Sequence, residues 1–207
     1  MTAVAAGAGY WWLGRDRSTA EGDIDPADLA KASPLGDMAL GAASAPVTII
    51  EYASMTCPHC AEFHRTVFPE LKAQYINTGT VRFVFREFPI DPVSATCSML
   101  ARCIGKDDPA RYHAAIDGLF ATQDKWMANN TADQLRSIAK QAGMGDEGFN
   151  ACMTNQGLLT GLQQSRDHAS TKLKVDATPT FFVNGKRMVG ARPFEEFIHQ
   201  IEMNLKA

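Results

Sequence analysis

The sequence predicts an α/β fold in which a β-α-β unit and a β-β-α unit are separated by a long all-helical segment. Three observations predict it: a β-branched run of strand length at 47–52 and an apolar one at 81–86, helical patterns throughout 91–172, and an Asn184-Gly185 hairpin signal near the end. A helical pattern separates the first two runs, and two strands joined through a helix are expected to be parallel with a right-handed crossover.

Size and charge set the broad class. The 207 residues are enough to bury a core without help from disulfides, so we expect one domain, or one domain with a sizeable insertion. The composition, with 45% hydrophobic and 21% charged residues, is that of a soluble globular protein. A net charge of -3 gives no indication of nucleic-acid binding. The sequence contains no internal repeat, low-complexity tract or phosphate-binding glycine motif.

The elements before the helical segment follow from turn residues and apolar spacing. Residues 37–41 are expected to form a short edge strand, and Pro46 introduces the strand at 47–52. The helix that follows this strand is expected to be kinked or restarted at Pro69 and to end at Gly79. The run at 81–86 is apolar enough to be a mostly buried strand.

The later elements follow from helical spacing and capping patterns. Helices are predicted over 92–104, 109–120 and 158–172, with two shorter ones from about 131 and 146. Thr131-Ala132-Asp133-Gln134 has the pattern of a capping box, and Asp146 is expected to cap the next helix. After hairpin strands at 180–183 and 187–189, Pro193 is expected at the first position of a final amphipathic helix.

The chemistry of the chain centres on Cys57-Pro58-His59-Cys60. Two thiols at this spacing form a disulfide or a dithiol reversibly, and a helix N-terminus lowers the pKa of the first thiol. The alternative is a pair of structural or metal-binding cysteines. His64 could add a ligand, but no second C-x-x-C or H-x-x-x-H completes a tetrahedral zinc site, so we expect it to be an ordinary helix residue near the site. The histidines at 113, 168 and 199 are expected to be surface or capping residues.

The ordered set of features resembles the DsbA-like thiol-disulfide oxidoreductases of the thioredoxin superfamily. The Cys57–Cys60 motif matches the family's active site, and Glu51 lies six residues earlier, where such proteins carry a buried acid. Thr178-Pro179 matches the cis-proline element before a strand, and the helical segment falls where the family has its helical domain. The resemblance covers about residues 36–205.

This resemblance implies a thioredoxin fold, with a central mixed sheet flanked by helices, and an inserted all-helical domain. Residues 36–90 and 173–207 would form the thioredoxin-fold domain and residues 91–172 the helical insertion. Residues 1–35 would be an N-terminal anchor or signal remnant and a linker. The resemblance implies no cofactor and no metal beyond the redox-active disulfide of Cys57 with Cys60.

The resemblance also implies a role for each matching residue. Cys57 would be the exposed nucleophile and Cys60 its buried partner, while Pro58 would fix the turn and His59 would favour the Cys57 thiolate through its ring. Glu51, if buried, could take part in proton transfer; an exposed strand carboxylate is the alternative. Pro179, if cis, would place the backbone of Thr178 beside the disulfide to pair with a substrate segment; the alternative is a trans turn proline.

The other cysteines are Cys97, Cys103 and Cys152. The first two lie on one predicted helix with a rise of about 9 Å between them, and a disulfide needs Cα atoms within roughly 7 Å, so they cannot pair. We favour a Cys103–Cys152 disulfide, because Cys103 shares a face with apolar residues and some DsbA-like proteins of alphaproteobacteria resemble this pattern. Cys97 would then be a free thiol. The alternative is that all three are buried and reduced.

The N-terminus is apolar. Residues 2–14 carry no charge, are shorter than the roughly 20 residues that span a bilayer, and lack the basic start of a signal peptide. We interpret them as the distal part of an export signal or membrane anchor that begins upstream; an apolar tail is the alternative. Tyr10-Trp11-Trp12 suits a membrane interface, and residues 18–33 read as a polar, acidic linker.

By resemblance, the function is the introduction of disulfides into exported proteins in the periplasm, with the N-terminus as a candidate tether to the inner membrane. The partners would be unfolded or reduced exported polypeptides and a DsbB-like membrane quinone reductase that restores the disulfide. Alternatives are a disulfide isomerase or reductase, since isomerase-type members share Thr178, a glutathione-dependent transferase, and a non-catalytic thioredoxin-fold chaperone or binding module. The intact thiol pair argues against the last two.

Overall fold

A computed structural model describes residues 24–206 and gives the elements in the predicted order. The strands are Met38–Leu40 (β1), Val47–Ala53 (β2), Val81–Glu87 (β3), Thr180–Val183 (β4) and Lys186–Val189 (β5). The helices are Pro26–Ala30 (α1), Pro58–Thr66 (α2), Phe68–Leu71 (α3), Pro92–Gly105 (α4), Pro109–Ala121 (α5), Gln123–Ala128 (α6), Thr131–Gln141 (α7), Asp146–Met153 (α8), Gln156–Lys172 (α9) and Phe194–Leu205 (α10). A π-helical turn, Lys72–Ile76, follows α3.

The strands form one mixed sheet in the order β1-β3-β2-β4-β5. Strands β2 and β3 are parallel, as predicted, and the other neighbours are antiparallel. Every residue of β2 except Thr48 is buried, because this central strand is covered by packed elements on both faces. The predicted α/β class, with helices inserted between β3 and β4, is therefore confirmed.

A continuous apolar core connects the sheet with the inserted helices. Phe63 of α2 lies at its centre, with ring centroids 4.7 Å from Phe181 of β4 and 5.4 Å from Phe197 of α10. The same cluster includes Ile116 and Leu119 of α5. Helix α5 therefore packs on α2, which carries the two-cysteine motif, and residues of the insertion come close to that motif.

The structure corrects three predicted helix starts and adds one helix. Asn130, in the left-handed conformation, precedes α7 without a side-chain capping bond, so the capping box at Thr131 is wrong. Asp146 is the first residue of α8 and its carboxylate instead pairs with Arg136 and Lys140 of α7. Pro193 is the N-cap residue of the last helix. Helix α6 was not predicted, because only Thr122 separates it from α5.

The N-terminal predictions fall mostly outside the described residues. These include the interpretation of residues 2–14 as part of an export signal or anchor, and the first part of the linker at 18–33. Within residues 24–206, no helix has the length and apolar character needed to cross a membrane. The described part of the linker contains α1, which is capped by the Asp25 side chain.

Candidate active site

Cys57 lies at the junction between β2 and α2. It is the N-cap residue of α2, with extended backbone angles, and its N–H donates to the Ser54 carbonyl at 3.1 Å. Pro58 follows at the first helical position, where the missing N–H leaves no bond unmade. As the N-cap residue, Cys57 places its sulfur at the positive end of the helix dipole. Only 6% of Cys57 is exposed, so the expectation of an exposed nucleophile is wrong.

The surroundings of Cys57 favour its thiolate. They lower the pKa of its thiol to about 5, first through a hydrogen bond from the Cys60 thiol and then through the Thr178 side chain and the backbone N–H groups of Cys60 and His59. Burial acts in the opposite direction but is outweighed. At neutral pH, Cys57 is therefore ionised and reactive.

Cys60 has the opposite character. It is fully buried, and burial, the hydrogen bond to Cys57 and the charge of Glu51 together raise the pKa of its thiol well above the ordinary value. Both cysteines are reduced in the structure. The site therefore holds one thiolate and one thiol at neutral pH, which is the arrangement that dithiol-disulfide exchange requires.

Thr178 and Pro179 face the cysteines from the other side. The Thr178–Pro179 peptide bond is cis, and the Thr178 carbonyl lies 3.2 Å from Cys57 Sγ, from which it accepts a hydrogen bond in the thiol form. The pair directly precedes β4, which is hydrogen-bonded to β2. The backbone of Thr178 is thus held beside the reactive sulfur, 121 residues away in the chain.

The side chain of His59 points away from this centre. It is 66% exposed, and its Nδ1 lies 3.7 Å from the Glu62 carboxylate. The resemblance predicts that the ring favours the Cys57 thiolate, whereas in the structure the contribution of His59 comes from its backbone N–H. The ring faces solvent, where an approaching partner would meet it.

Glu51 is fully buried on β2 and belongs to a chain of polar groups. Its Oε2 lies 2.9 Å from His64 Nε2, and His64 Nδ1 lies 3.0 Å from Asp117 Oδ1 on α5. The expectation that His64 is an ordinary helix residue is wrong, since its side chain is 1% exposed and pairs with two carboxylates. One turn after Cys60, it lies on the same face of α2 and so reaches β2.

The charges of Glu51 and His64 stabilise each other. Burial raises the pKa of Glu51, and the nearby His64 opposes that rise. Burial lowers the pKa of His64, but the Glu51 and Asp117 carboxylates outweigh it and raise that pKa to about 9.

Another histidine expected at the surface, His113, is also buried, and its Nε2 donates to the Met38 carbonyl at 2.9 Å. Burial lowers the pKa of His113 to about 4.

Comparisons with known proteins identify the family. A family model described as thioredoxin matches residues 33–203. The chain is 30% identical to alpha-DsbA1 of Wolbachia pipientis, and the crystal structure of that protein matches with a TM-score of 0.79 over 86% of this chain and 95% of that one. It is 27% identical to disulfide bond formation protein D of Bacillus subtilis, over 83% of this chain and 78% of that protein.

The chain belongs to the DsbA-like protein-disulfide oxidoreductases. The predicted thioredoxin fold is confirmed by the same matches. A Rickettsia bellii protein named "Putative protein-disulfide oxidoreductase" is 36% identical over 150 residues, which is 72% of this chain and 57% of that protein. The chain spans between 53% and 58% of the length of this and four further rickettsial relatives.

In this DsbA-like chain, residues of the insertion hold the active-site loop, and the sequence did not reveal them. Gln123 of α6 is buried, and its Nε2 donates to the carbonyls of Met55 and Cys57 at 2.8 and 3.1 Å. Ser94, in the first turn of α4, accepts from the N–H of Met55 at 2.9 Å. No local sequence pattern marks these contacts.

The remaining cysteines of this DsbA-like chain lie in the insertion. Cys103 and Cys152 form a disulfide with Cα atoms 6.1 Å apart, which is the pair that the sequence favoured. Cys97 is reduced and fully buried, and burial raises the pKa of its thiol to about 12. Cys97 is therefore unreactive compared with Cys57, since the thiolate is the reactive form.

Proposed function

We propose that the protein is a periplasmic oxidase that introduces disulfides into exported polypeptides through Cys57 and Cys60. The observation that carries the proposal is the separation of the two thiol pKa values, about 5 for Cys57 and well above the ordinary value for Cys60. A stabilised Cys57 thiolate favours the reduced dithiol, and a disulfide whose reduced form is stabilised is a strong oxidant. DsbA itself is the extreme of this behaviour among bacterial proteins, and the likeness supports the oxidising direction.

The proposed reaction has two exchange steps. A substrate thiolate attacks Cys57 Sγ, the Cys57–Cys60 bond breaks, and its electron pair and one proton go to Cys60. A second substrate thiolate then attacks the substrate sulfur of the mixed disulfide, and Cys57 leaves as a thiolate. Its low pKa makes Cys57 a good leaving group, so the second step favours the oxidised substrate.

The partners of the proposed oxidase are reduced or unfolded exported polypeptides and a DsbB-like membrane quinone reductase that restores the disulfide. The backbone of Thr178 beside Cys57 offers hydrogen-bonding groups to an extended substrate segment. The names of the relatives support disulfide exchange with proteins. A periplasmic location, and a tether through the N-terminus, are part of the proposal.

Two activities of the purified protein test the direction. The oxidised protein is mixed with a reduced peptide that contains two cysteines, and separately the reduced protein is mixed with a protein that carries scrambled disulfides. We expect fast oxidation of the peptide and poor unscrambling. Faster unscrambling than oxidation would overturn the oxidase assignment in favour of an isomerase.

The control variants separate the active thiol from cysteine content in general. Cys57→Ser is expected to abolish either activity, whereas Cys97→Ala removes a buried, inert thiol and is expected to retain it. Retained activity in Cys57→Ser would mean that the reactive group lies elsewhere. Binding of an unfolded polypeptide by Cys57→Ser, with no oxidation by the wild-type protein, would instead indicate a chaperone.

A further inference from the structure

The chain of polar groups behind the cysteines runs from the core to the surface. Glu51 on β2 is 0% exposed, His64 on α2 is 1% exposed, and Asp117 on α5 is 34% exposed. The hydrogen bonds that join them are 2.9 and 3.0 Å long. Three separate elements therefore contribute one titratable group each to a continuous path.

One atom of this path is free. Within the described part of the chain, Glu51 Oε1 is buried and has no hydrogen-bond partner, while Oε2 is bonded to His64. An unpaired carboxylate oxygen in the core is unfavourable, and most buried polar atoms find a partner, so this oxygen calls for an explanation. The charge of Glu51 reaches the Cys60 thiol and adds to the rise in its pKa, and Cys60 lies one turn before His64 on the face of α2 that meets Glu51.

Cys60 needs a proton route because it is closed off from water. Its exposure is 0%, and under the proposed exchange reaction its sulfur takes up one proton when the disulfide opens and releases one when the disulfide forms again. Proton transfer in such a site depends on a positioned side chain.

We propose that Glu51, His64 and Asp117 form a proton relay between Cys60 and the surface of α5; this proposal rests on the proposed dithiol-disulfide exchange. Glu51 exchanges the proton with Cys60 directly. His64 and Asp117 act through Glu51 and are positioning residues that move a compensating proton to and from solvent.

When a substrate thiolate opens the disulfide, the electron pair of the broken S–S bond goes to Cys60 Sγ. Cys60 takes the proton of Glu51 Oε1, and His64 takes a proton at Nδ1 from solvent through Asp117. The buried pair changes from neutral carboxylic acid and imidazole to carboxylate and imidazolium. Throughout, the Nε2–H to Oε2 hydrogen bond stays in place, and the pair as a whole stays neutral.

Reoxidation runs the relay backwards. The proton of Cys60 passes to Glu51 Oε1 while His64 Nδ1 releases one to Asp117 and solvent. The freed electron pair of Cys60 attacks Cys57 Sγ in the mixed disulfide with an oxidising partner, and the partner's sulfur leaves as a thiolate. In each cycle, one proton thus moves from Glu51 to Cys60 and back, and one proton is taken up from solvent through Asp117 and returned to it.

The titratable groups around the relay fit this assignment. In the reduced protein His64 holds its extra proton, with a pKa of about 9, and burial raises the pKa of Glu51, which helps this carboxylate to take up a proton. Asp117 also acts on His113, which lies on the same helix α5, but burial lowers the pKa of His113 to about 4, which keeps it neutral and out of the relay. Lys72 acts on His113 as a further nearby charge.

The relay is tested with dithiobis(nitrobenzoate), a small disulfide that releases a coloured thiolate twice. The first coloured thiolate leaves when Cys57 of the reduced protein attacks the reagent. The second leaves when Cys60 attacks the resulting mixed disulfide. Only the second phase needs the Cys60 proton to leave. We expect Asp117→Asn and His64→Gln to slow the second phase by about tenfold or more and to leave the first phase unchanged.

Conservative and matched variants separate a relay from a structural contact. Asp117→Glu keeps a carboxylate at the end of the path and is expected to retain the second phase. Asp124→Asn removes an exposed carboxylate from the neighbouring helix and is expected to change neither phase. In the wild type the second phase should vary little between about pH 6 and pH 8, whereas in Asp117→Asn it should rise with pH as hydroxide takes over.

Distinct outcomes would overturn the relay. An unchanged second phase in Asp117→Asn would show that Asp117 is not part of the relay. Equal slowing of both phases would indicate a structural effect. If His64→Gln fails to fold, the surface variant Asp117→Asn still decides the matter. The reagent assay requires reactive Cys57 and Cys60 only, so it gives its answer whether the protein proves to be an oxidase or an isomerase.

Discussion

Two fully buried carboxylates, on adjacent parallel strands, have very different surroundings. Glu87, at the end of β3, accepts hydrogen bonds at both oxygens: Oε1 from Arg102 and Tyr112, and Oε2 from Arg102 at 2.9 Å. Glu51, on β2, has His64 at one oxygen and, among the described residues, no partner at the other. Both carboxylates are fully buried, but only Glu87 has hydrogen-bond partners at both oxygens.

The difference between their partners separates a structural site from a reactive one. Arginine cannot lose its proton in a protein, and although burial lowers the pKa of Arg102, Glu87 outweighs burial and raises it, so Arg102 stays charged. Arg102 also donates to the carbonyls of Leu35 and Gly36 and so fastens the N-terminal segment to the insertion. Histidine can give up its proton, and the free oxygen of Glu51 can accept one.

The largest expected effect is a loss of stability when Glu87 is substituted, and the same substitution at Glu51 should cause a much smaller loss. Glu87→Gln leaves the Arg102 charge buried without its partner, which we expect to lower the free energy of unfolding by about 3–5 kcal/mol. Glu51→Gln is expected to lower it by less than about 1 kcal/mol, because His64 can lose its proton and neutralise itself. Urea unfolding at neutral pH measures both, with the exposed Glu70→Gln as a control. Equal losses in the two variants would contradict the distinction drawn between the two sites.

The next effect is a pH dependence of stability that only the Glu51 site should show. The folded-state pKa of His64 is raised to about 9, so its contribution is fully present below the unfolded value near 6.5 and is lost as the pH rises through about 9. The loss amounts to at most about 3 kcal/mol. It is measured on the Cys57→Ser variant, in which Cys60 stays a thiol as in the reduced protein, because the lowered pKa of Cys57 itself acts in the opposite direction in the same window.

Two variants, both made in the Cys57→Ser background, locate this pH dependence. His64→Gln should show little change in unfolding free energy between about pH 6.5 and pH 9, while Glu87→Gln should keep the slope of the wild type. His113, whose pKa is lowered to about 4, affects stability on the acid side instead, where its contribution is lost as the pH falls. A wild-type slope that survives in His64→Gln would assign the titration to another group.

The sequence predicted the parts of the site that local patterns mark. The strand before Cys57, the helix after it, and Thr178-Pro179 ahead of β4 are all recognisable from residue spacing and turn chemistry, and the structure brings them together. Burial of Glu51 was implied by the resemblance alone, and the structure has it fully buried. These features depend on contacts within one element or between neighbouring strands.

The contributions of the insertion were not predictable in the same way. Asp117 and Gln123 are single polar residues on amphipathic helices, a pattern usually typical of a solvent face, and only the packing of α5 on α2 brings Asp117 to His64. The spacing of His64 from Cys60 was visible in the sequence, but its partners, 13 and 53 residues away, were not. The capping box at Thr131 failed because the left-handed Asn130 cannot be recognised from a Ser/Thr pattern.

The smallest expected effect concerns Gln123, which tests whether the insertion also acts on the active-site loop. Gln123→Leu keeps the side-chain volume but leaves the carbonyls of Met55 and Cys57 without a donor, so we expect a loss of about 1–2 kcal/mol in unfolding free energy. A looser loop also weakens the hydrogen bonds that favour the Cys57 thiolate, so the midpoint of its alkylation by iodoacetamide should move upward from about 5. The exposed Gln134→Leu serves as the matched control. An unchanged midpoint in Gln123→Leu would confine the influence of the insertion on the cysteines to the path through Asp117 and His64.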